Sequence, residues 1–169
     1  ANGLTTAQLL ATIRRAGATT RYLTLAPSPE TIARLAALAR VDEKVLYAAT
    51  LASFDGIALD LTGLDATDRY SYRQVAARGW TPAHGTQICP ACIAATAAWK
   101  TAWRLLLVTA CTDHSLVLVA ECPTCRRPFR DQRHSHLRRV GAATACGNPL
   151  GQGPFKQCQH DLTALPHER

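Results

Sequence analysis

Residues 89–125 read CPACIAATAAWKTAWRLLLVTACTDHSLVLVAECPTC, and this stretch decides how the rest of the chain is interpreted. It holds Cys89-Pro90-Ala91-Cys92, then Cys111-Thr112-Asp113-His114 after eighteen intervening residues, then Cys122-Pro123-Thr124-Cys125. A tight Cys-x-x-Cys or Cys-x-x-His turn brings two donors to one ion at ~2.0–2.3 Å, and two such turns complete a tetrahedron. Cys146 and Cys158 follow, separated by eleven residues. Seven cysteines and His114 therefore make eight ligands, which fill two closed sites with no thiol left over. In chain order the first site is Cys89, Cys92, Cys111 and His114, within residues 89–114. The second is Cys122, Cys125, Cys146 and Cys158, within residues 122–158. Cross-bracing of the first pair with the third is the alternative. The seven residues from Ser115 to Glu121, roughly 20 Å when extended, let the flanking groups sit apart and favour chain order. His160 competes with Cys158 for the last position of the second site, and His134 and His136 are further competitors.

The chain opens without a charged-then-apolar leader, so a reducing, cytoplasmic setting is expected, where disulfide frameworks are rare. The odd cysteine count points the same way. The sequence has no methionine and begins at Ala1, from which a piece of a longer protein is expected. Its strongest apolar runs, Leu105–Val108 and Leu116–Ala120, fall far short of the ~20 residues that span a bilayer, so no membrane is expected as a partner. A hydrophobic share of 47% against 18% charged excludes a disordered tail and suits one ordinary domain or two small ones in 169 residues.

Both proposed sites are filled by protein ligands, whereas a catalytic zinc keeps a position open for water. No His-x-Glu precedes a Pro-Cys-x-x-Cys, which removes the deaminase signature. Phosphate loops, nucleophile elbows and dinucleotide fingerprints are missing as well. The expectation is two structural Zn2+ per chain and no enzyme. A zinc nuclease or deaminase would need a vacant coordination position beside a carboxylate. The nearest ones, Asp113 and Glu121, have no motif context.

Upstream the pattern is helical. Thr6–Arg15 puts Leu9, Leu10 and Ile13 on one face, with Gly17 as a stop. Ser28-Pro29-Glu30 is a helix start, followed by Ile32, Leu35, Ala36, Leu38 and Ala39 at helical spacing. Asp42 caps a further short helix carrying Val45, Leu46 and Ala49. The pair resembles a helix-turn-helix. Its second helix begins Asp42-Glu43-Lys44, and acids there repel phosphate, so packing or protein docking is expected over base reading. Residues 55–88 read as a linker with a short helix closing at Val75–Arg78 before Gly79, and with Trp80 in a core. Leu105–Thr109 and Leu116–Ala120 read as short strands. The expected fold is mainly α with small β: a helical, helix-turn-helix-like region over residues 1–86, then tandem zinc-finger or zinc-ribbon modules over residues 87–169.

Charge is uneven. Residues 1–88 carry nine basic and seven acidic side chains, a net of +2; residues 89–169 carry ten and five, a net of +5. Arg126, Arg127, Arg130, Arg133, Arg138 and Arg139 follow Cys125 directly, with Asp131 the one acid among them. A rigid zinc knuckle would hold such a run for phosphate contact, which makes these six the candidate nucleic-acid-binding residues; a solvated basic loop is the alternative. Trp99 and Trp103 can stack on bases, but core packing is expected for both.

The order Cys89-Pro90-x-Cys92, Trp103, Cys111-x-x-His114, Leu118, Cys122-Pro123-x-Cys125 resembles the TniQ family, which serves target selection by certain bacterial transposons. Ser28–Leu51, with Leu35-Ala36-Ala37-Leu38, is similar to the family's region before its zinc site, and the resemblance covers roughly residues 1–125. The family's domain begins upstream of Ala1, so truncation is expected, and no family pattern extends past Cys125. The resemblance implies a non-enzymatic adaptor that binds target DNA or docks on a guide-RNA effector complex. It would recruit the transposon's AAA+ ATPase, which engages the transposase. Dimerisation occurs in the family, and a cytoplasmic, nucleoid-associated location follows from the role. The alternative is a zinc-stapled helix-turn-helix transcription regulator, which would discriminate strongly between DNA sequences.

Overall fold

The computed structural model describes residues 6–78, 85–130, 142–151 and 156–166. It divides the chain into two compact units, Ala1–Thr81 and Pro82–Arg169. Trp80 and Gly79 lie outside the described residues.

In the first unit, α1 (Thr6–Arg15) buries Leu10 and Ile13. It ends where Gly17 takes φ +80°, a conformation open to glycine without a Cβ clash, and the Ala18 N–H reaches back to the Ile13 carbonyl. Helix α2 (Pro29–Ala39) starts as its sequence requires, with the Ser28 hydroxyl accepting from the Thr31 N–H at 3.3 Å and Pro29 in the first turn. Arg40 in the left-handed region stops it, and α3 (Glu43–Ala48) follows, capped by Asp42 accepting from the Lys44 N–H at 2.7 Å. The expected apolar face of α3 is not a packed one. Leu46 is half-buried, Val45 is 62% exposed and Ala49 is exposed. Six residues make fewer than two turns, so few side chains can meet α2 at once. A 3-10 turn at Leu51–Phe54 and α4 (Ser71–Ala76) complete the unit, with Leu51 and Val75 fully buried.

The second unit has one core, formed by Ile88, Ile93, Trp103, Leu116, Leu118, Phe129, Leu162 and Leu165 together with six of the seven cysteines. Helix α5 (Pro90–Thr96) packs on a 3-10 turn, Leu162–Ala164. Strands β1 (Ala110–Cys111) and β2 (Leu116–Val117) form one antiparallel hairpin, with Cys111 opposite Leu116. Strands β3 (Glu121–Cys122) and β4 (Arg127–Pro128) form another, with Cys122 opposite Arg127. The segment before α5 joins them: Thr86 bridges to Phe129 and Ile88 to Val119.

Leu105–Thr109 is not a strand. Leu105 is buried, but Leu106 and Leu107 lie on an exposed turn, closed by the Val108 N–H on the Leu105 carbonyl. A chain that must turn out of the 3-10 segment Thr101–Arg104 and enter β1 cannot stay extended across five residues. Of the second run, Leu116–Val117 is strand and Val119 makes the single bridge to Ile88.

Candidate metal centres

Two sets of four donors converge in the second unit. The first is Cys89, Cys92, Cys111 and His114; the second is Cys122, Cys125, Cys146 and Cys158. Within each, all ligand atoms lie within 4.8 Å of one another. Chain-order pairing therefore holds over cross-bracing.

Local structure explains the first set. Cys89 precedes α5 and Pro90 opens it, so the helix geometry turns the Cys92 sulfur back toward Cys89. Cys111 ends β1, and His114 stands in the turn that Ser115 closes with φ +52°. His114 Nδ1 lies 3.6 Å from Cys89 Sγ, 3.3 Å from Cys92 Sγ and 3.6 Å from Cys111 Sγ, and Cys92 and Cys111 sulfurs are 3.6 Å apart. The second set repeats the hairpin device. Cys122 lies on β3, Cys125 in the turn, and Arg126 closes it with φ +53° while its N–H bonds the Cys122 carbonyl at 2.8 Å. Cys146 and Cys158 meet because two irregular segments pair. The Cys146 N–H bonds the His160 carbonyl, the Gly147 N–H the Cys158 carbonyl, and the Cys158 N–H the Asn148 carbonyl, at 2.8–3.0 Å. Cys122 and Cys158 sulfurs are 3.8 Å apart, as are those of Cys125 and Cys146.

These separations test whether an ion fits. Metal–sulfur bonds of about 2.3 Å in a tetrahedron give sulfur–sulfur edges of about 3.8 Å, and a nitrogen at about 2.0–2.1 Å shortens its edges to about 3.5 Å. Both sets match. A disulfide needs about 2.0 Å, and all seven cysteines are free.

The electrostatics agree. Burial, then the sulfurs of Cys111 and Cys89, push the Cys92 thiol up to about 12. Burial opposes ionisation of Cys111 too, but hydrogen bonding from His114 outweighs it and brings this thiol to about 7. Burial raises Cys146 and Cys158, while Cys125 is lowered against its burial by the amide of Asn148. Thiolates this close repel one another, and a divalent cation at the centre is what lets all of them ionise together.

His160 is not in the second set. Its Nδ1 is 2.8 Å from the Thr124 hydroxyl and its Nε2 is buried without a hydrogen-bond partner. His134 and His136 lie outside the described residues, as do Arg133, Arg138 and Arg139. The three remaining arginines differ. Arg126 is exposed. Arg127 donates to the Pro149 carbonyl at 2.8 Å, which ties β4 to the Cys146 segment. Arg130 lies over the Trp99 ring, its guanidinium carbon 3.7 Å from the centroid. Trp99 in turn donates to the Ala143 carbonyl and meets Phe129 edge-on, while Trp103 is buried as expected. Asn148, buried beside Cys125, is a participant that the sequence did not mark. It is one asparagine in a Gly- and Pro-rich stretch, and only the pairing of distant segments gives it a role.

Among the described residues no helix is long and apolar enough to cross a membrane. The TniQ family model matches residues 1–118, which takes in the whole first set of donors and none of the second. No curated protein matches the chain.

Proposed function

The chain belongs to the TniQ family, and from that premise we propose that it is a non-enzymatic, zinc-stiffened adaptor in DNA transposition. It binds target DNA or a target-site complex, such as a guide-RNA effector, and recruits the transposon's AAA+ ATPase, acting at the nucleoid in the cytoplasm and as a homodimer where two copies meet. The observation that carries the non-enzymatic part is the closure of both donor sets: each has four protein donors at tetrahedral spacing. Three thiolates with an imidazole, and four thiolates, are the soft donor sets that zinc takes in structural sites. Zn2+ held by Cys89, Cys92, Cys111 and His114, and by Cys122, Cys125, Cys146 and Cys158, would stiffen the second unit without activating water.

Nucleic-acid contact falls to the arginines after Cys125. Arg130 is the best prepared of those described, because the Trp99 face already fixes its guanidinium and lowers the ordering cost of meeting a phosphate. Arg126 adds an exposed charge, and Arg133, Arg138 and Arg139 extend the run. Helix α3 suits a protein partner better than DNA, since Asp42 and Glu43 open it and Val45 and Tyr47 are exposed.

Titrating duplex DNA by anisotropy across a salt series tests the contact. Arg130→Ala is expected to weaken binding and to reduce the log–log salt slope by about 1, as loss of one phosphate contact requires. An unchanged slope returns the basic run to a solvated loop. Co-purification with a transposon AAA+ ATPase tests recruitment.

A further inference from the structure

Among the described residues of the second unit, Asn148 is the one buried polar side chain other than the cysteines, 3% exposed. Its Nδ2 lies 3.5 Å from Cys125 Sγ, 3.0 Å from the Pro128 carbonyl oxygen and 3.4 Å from that of Arg127. Its Oδ1 accepts from the Arg130 N–H at 3.3 Å, and its own carbonyl accepts from the Cys158 N–H at 2.8 Å. The amide cannot be turned round. Exchanging Nδ2 and Oδ1 would point an oxygen at a sulfur and two carbonyls, and an NH2 group at an N–H donor.

We propose that Asn148 is a positioning residue for the second metal cluster, holding Cys125 as a hydrogen-bonded thiolate and fixing the Arg127–Arg130 backbone to the same ion. The inference rests on the second cluster being a metal site. Four thiolates around a divalent ion carry a net charge of −2, and an N–H donated to one sulfur withdraws part of that charge. Cys125 is the sulfur of its set that this amide reaches. The same amide spans the strand that follows the turn, so the ion, the turn and the start of the basic run are one hydrogen-bonded body.

The test compares the two ions in the full chain. Asn148→Asp keeps the shape and the acceptor for Arg130 but turns a donor into an anion facing Cys125. In competition with a chromophoric chelator, one of the two ions is expected to be lost about 10–100-fold more readily, the range set by outer-shell partners, while the other is retained as in the wild type. After Co2+ substitution, the thiolate-to-metal charge-transfer band is expected to move to longer wavelength, because a sulfur without its donor gives up charge more easily. Asn148→Ala should shift both readouts the same way and less far. Equal loosening of both ions in the two variants would mean a general packing role and would overturn the proposal, as would unchanged retention with an unshifted band. A wild-type chain that holds a single ion would instead remove the second cluster, and the inference with it.

Discussion

The two four-donor clusters reach closely similar spacing by different routes. The first takes its donors from residues 89–114, the second from residues 122–158. The difference in loop length is energetically slight: closing the longer span costs only about 0.3 kcal/mol more in chain entropy. What separates them is local support. Cys89 and Cys92 sit at the start of a helix, and Cys111 and His114 in a hairpin turn, so each pair is shaped by its own few residues. Cys122 and Cys125 have the same kind of turn, but Cys146 and Cys158 are brought together by pairing between segments with little regular structure and by Asn148. A metal site can thus be built from two self-sufficient halves, or from one such half and one that the rest of the fold must assemble.

Removing the metal should break this comparison most severely. A structural zinc contributes apparent free energy of ~10–16 kcal/mol, more than a small domain's whole margin. A strong chelator is therefore expected to abolish amide-exchange protection at Ile88, Val119, Cys146 and Cys158 while leaving the helices α1 and α2, which have no cysteine, protected. Single-ligand variants refine it. Cys158→Ser should release one ion and keep the other, because the first cluster's halves are local, whereas Cys111→Ser should disturb both, because its hairpin is bridged through Ile88 and Val119 to the shared core. Survival of the second ion in Cys111→Ser would show two independent modules.

Phe129 gives a smaller perturbation of the same coupling. It is fully buried, one residue after β4, and pairs through its backbone with Thr86 and Ala120. Phe129→Ala should cost ~3–5 kcal/mol, as large-to-small changes in a packed core do. Because Trp99 meets the Phe129 ring edge-on, Arg130 should also lose its platform. Urea unfolding followed by tryptophan emission reads the first effect, and the salt slope of DNA binding the second.

How much was legible follows the same division. The first cluster could be written from spacing alone, because a Cys-x-x-Cys turn is a local object. So could the caps at Ser28 and Asp42, where a single side chain satisfies a single backbone group. The second cluster was legible in its membership but not in its construction: nothing in Cys146-Gly147-Asn148-Pro149 announces that it will pair with residues 156–160. Leu105–Thr109 failed for a related reason. Leucine content marks a preference for burial, yet the path from Trp103 into β1 leaves Leu106 and Leu107 in solvent. The apolar face of α3 failed because a helix of six residues is too short for its periodicity to meet a neighbour. In each case a short-range pattern was overruled by where the chain had to go next.

The smallest expected effect bears on what the two hairpin turns share. Ser115 follows His114 and Arg126 follows Cys125, and both adopt the left-handed conformation, at φ +52° and +53°. An L-residue with a Cβ pays roughly 1–2 kcal/mol to stand there, whereas glycine stands there freely. Glycine also loses about 0.5–1 kcal/mol more backbone freedom on folding, so Ser115→Gly and Arg126→Gly should each stabilise the second unit by a net ~1 kcal/mol or less. Thermal melting of the metal-loaded chain measures it. The pair is informative because the geometry is common to both positions and the charge is not. Ser115→Gly should leave DNA affinity alone, while Arg126→Gly should gain stability and lose affinity together. Of the two left-handed positions only Arg126 carries a charged side chain, so only there should the trade show.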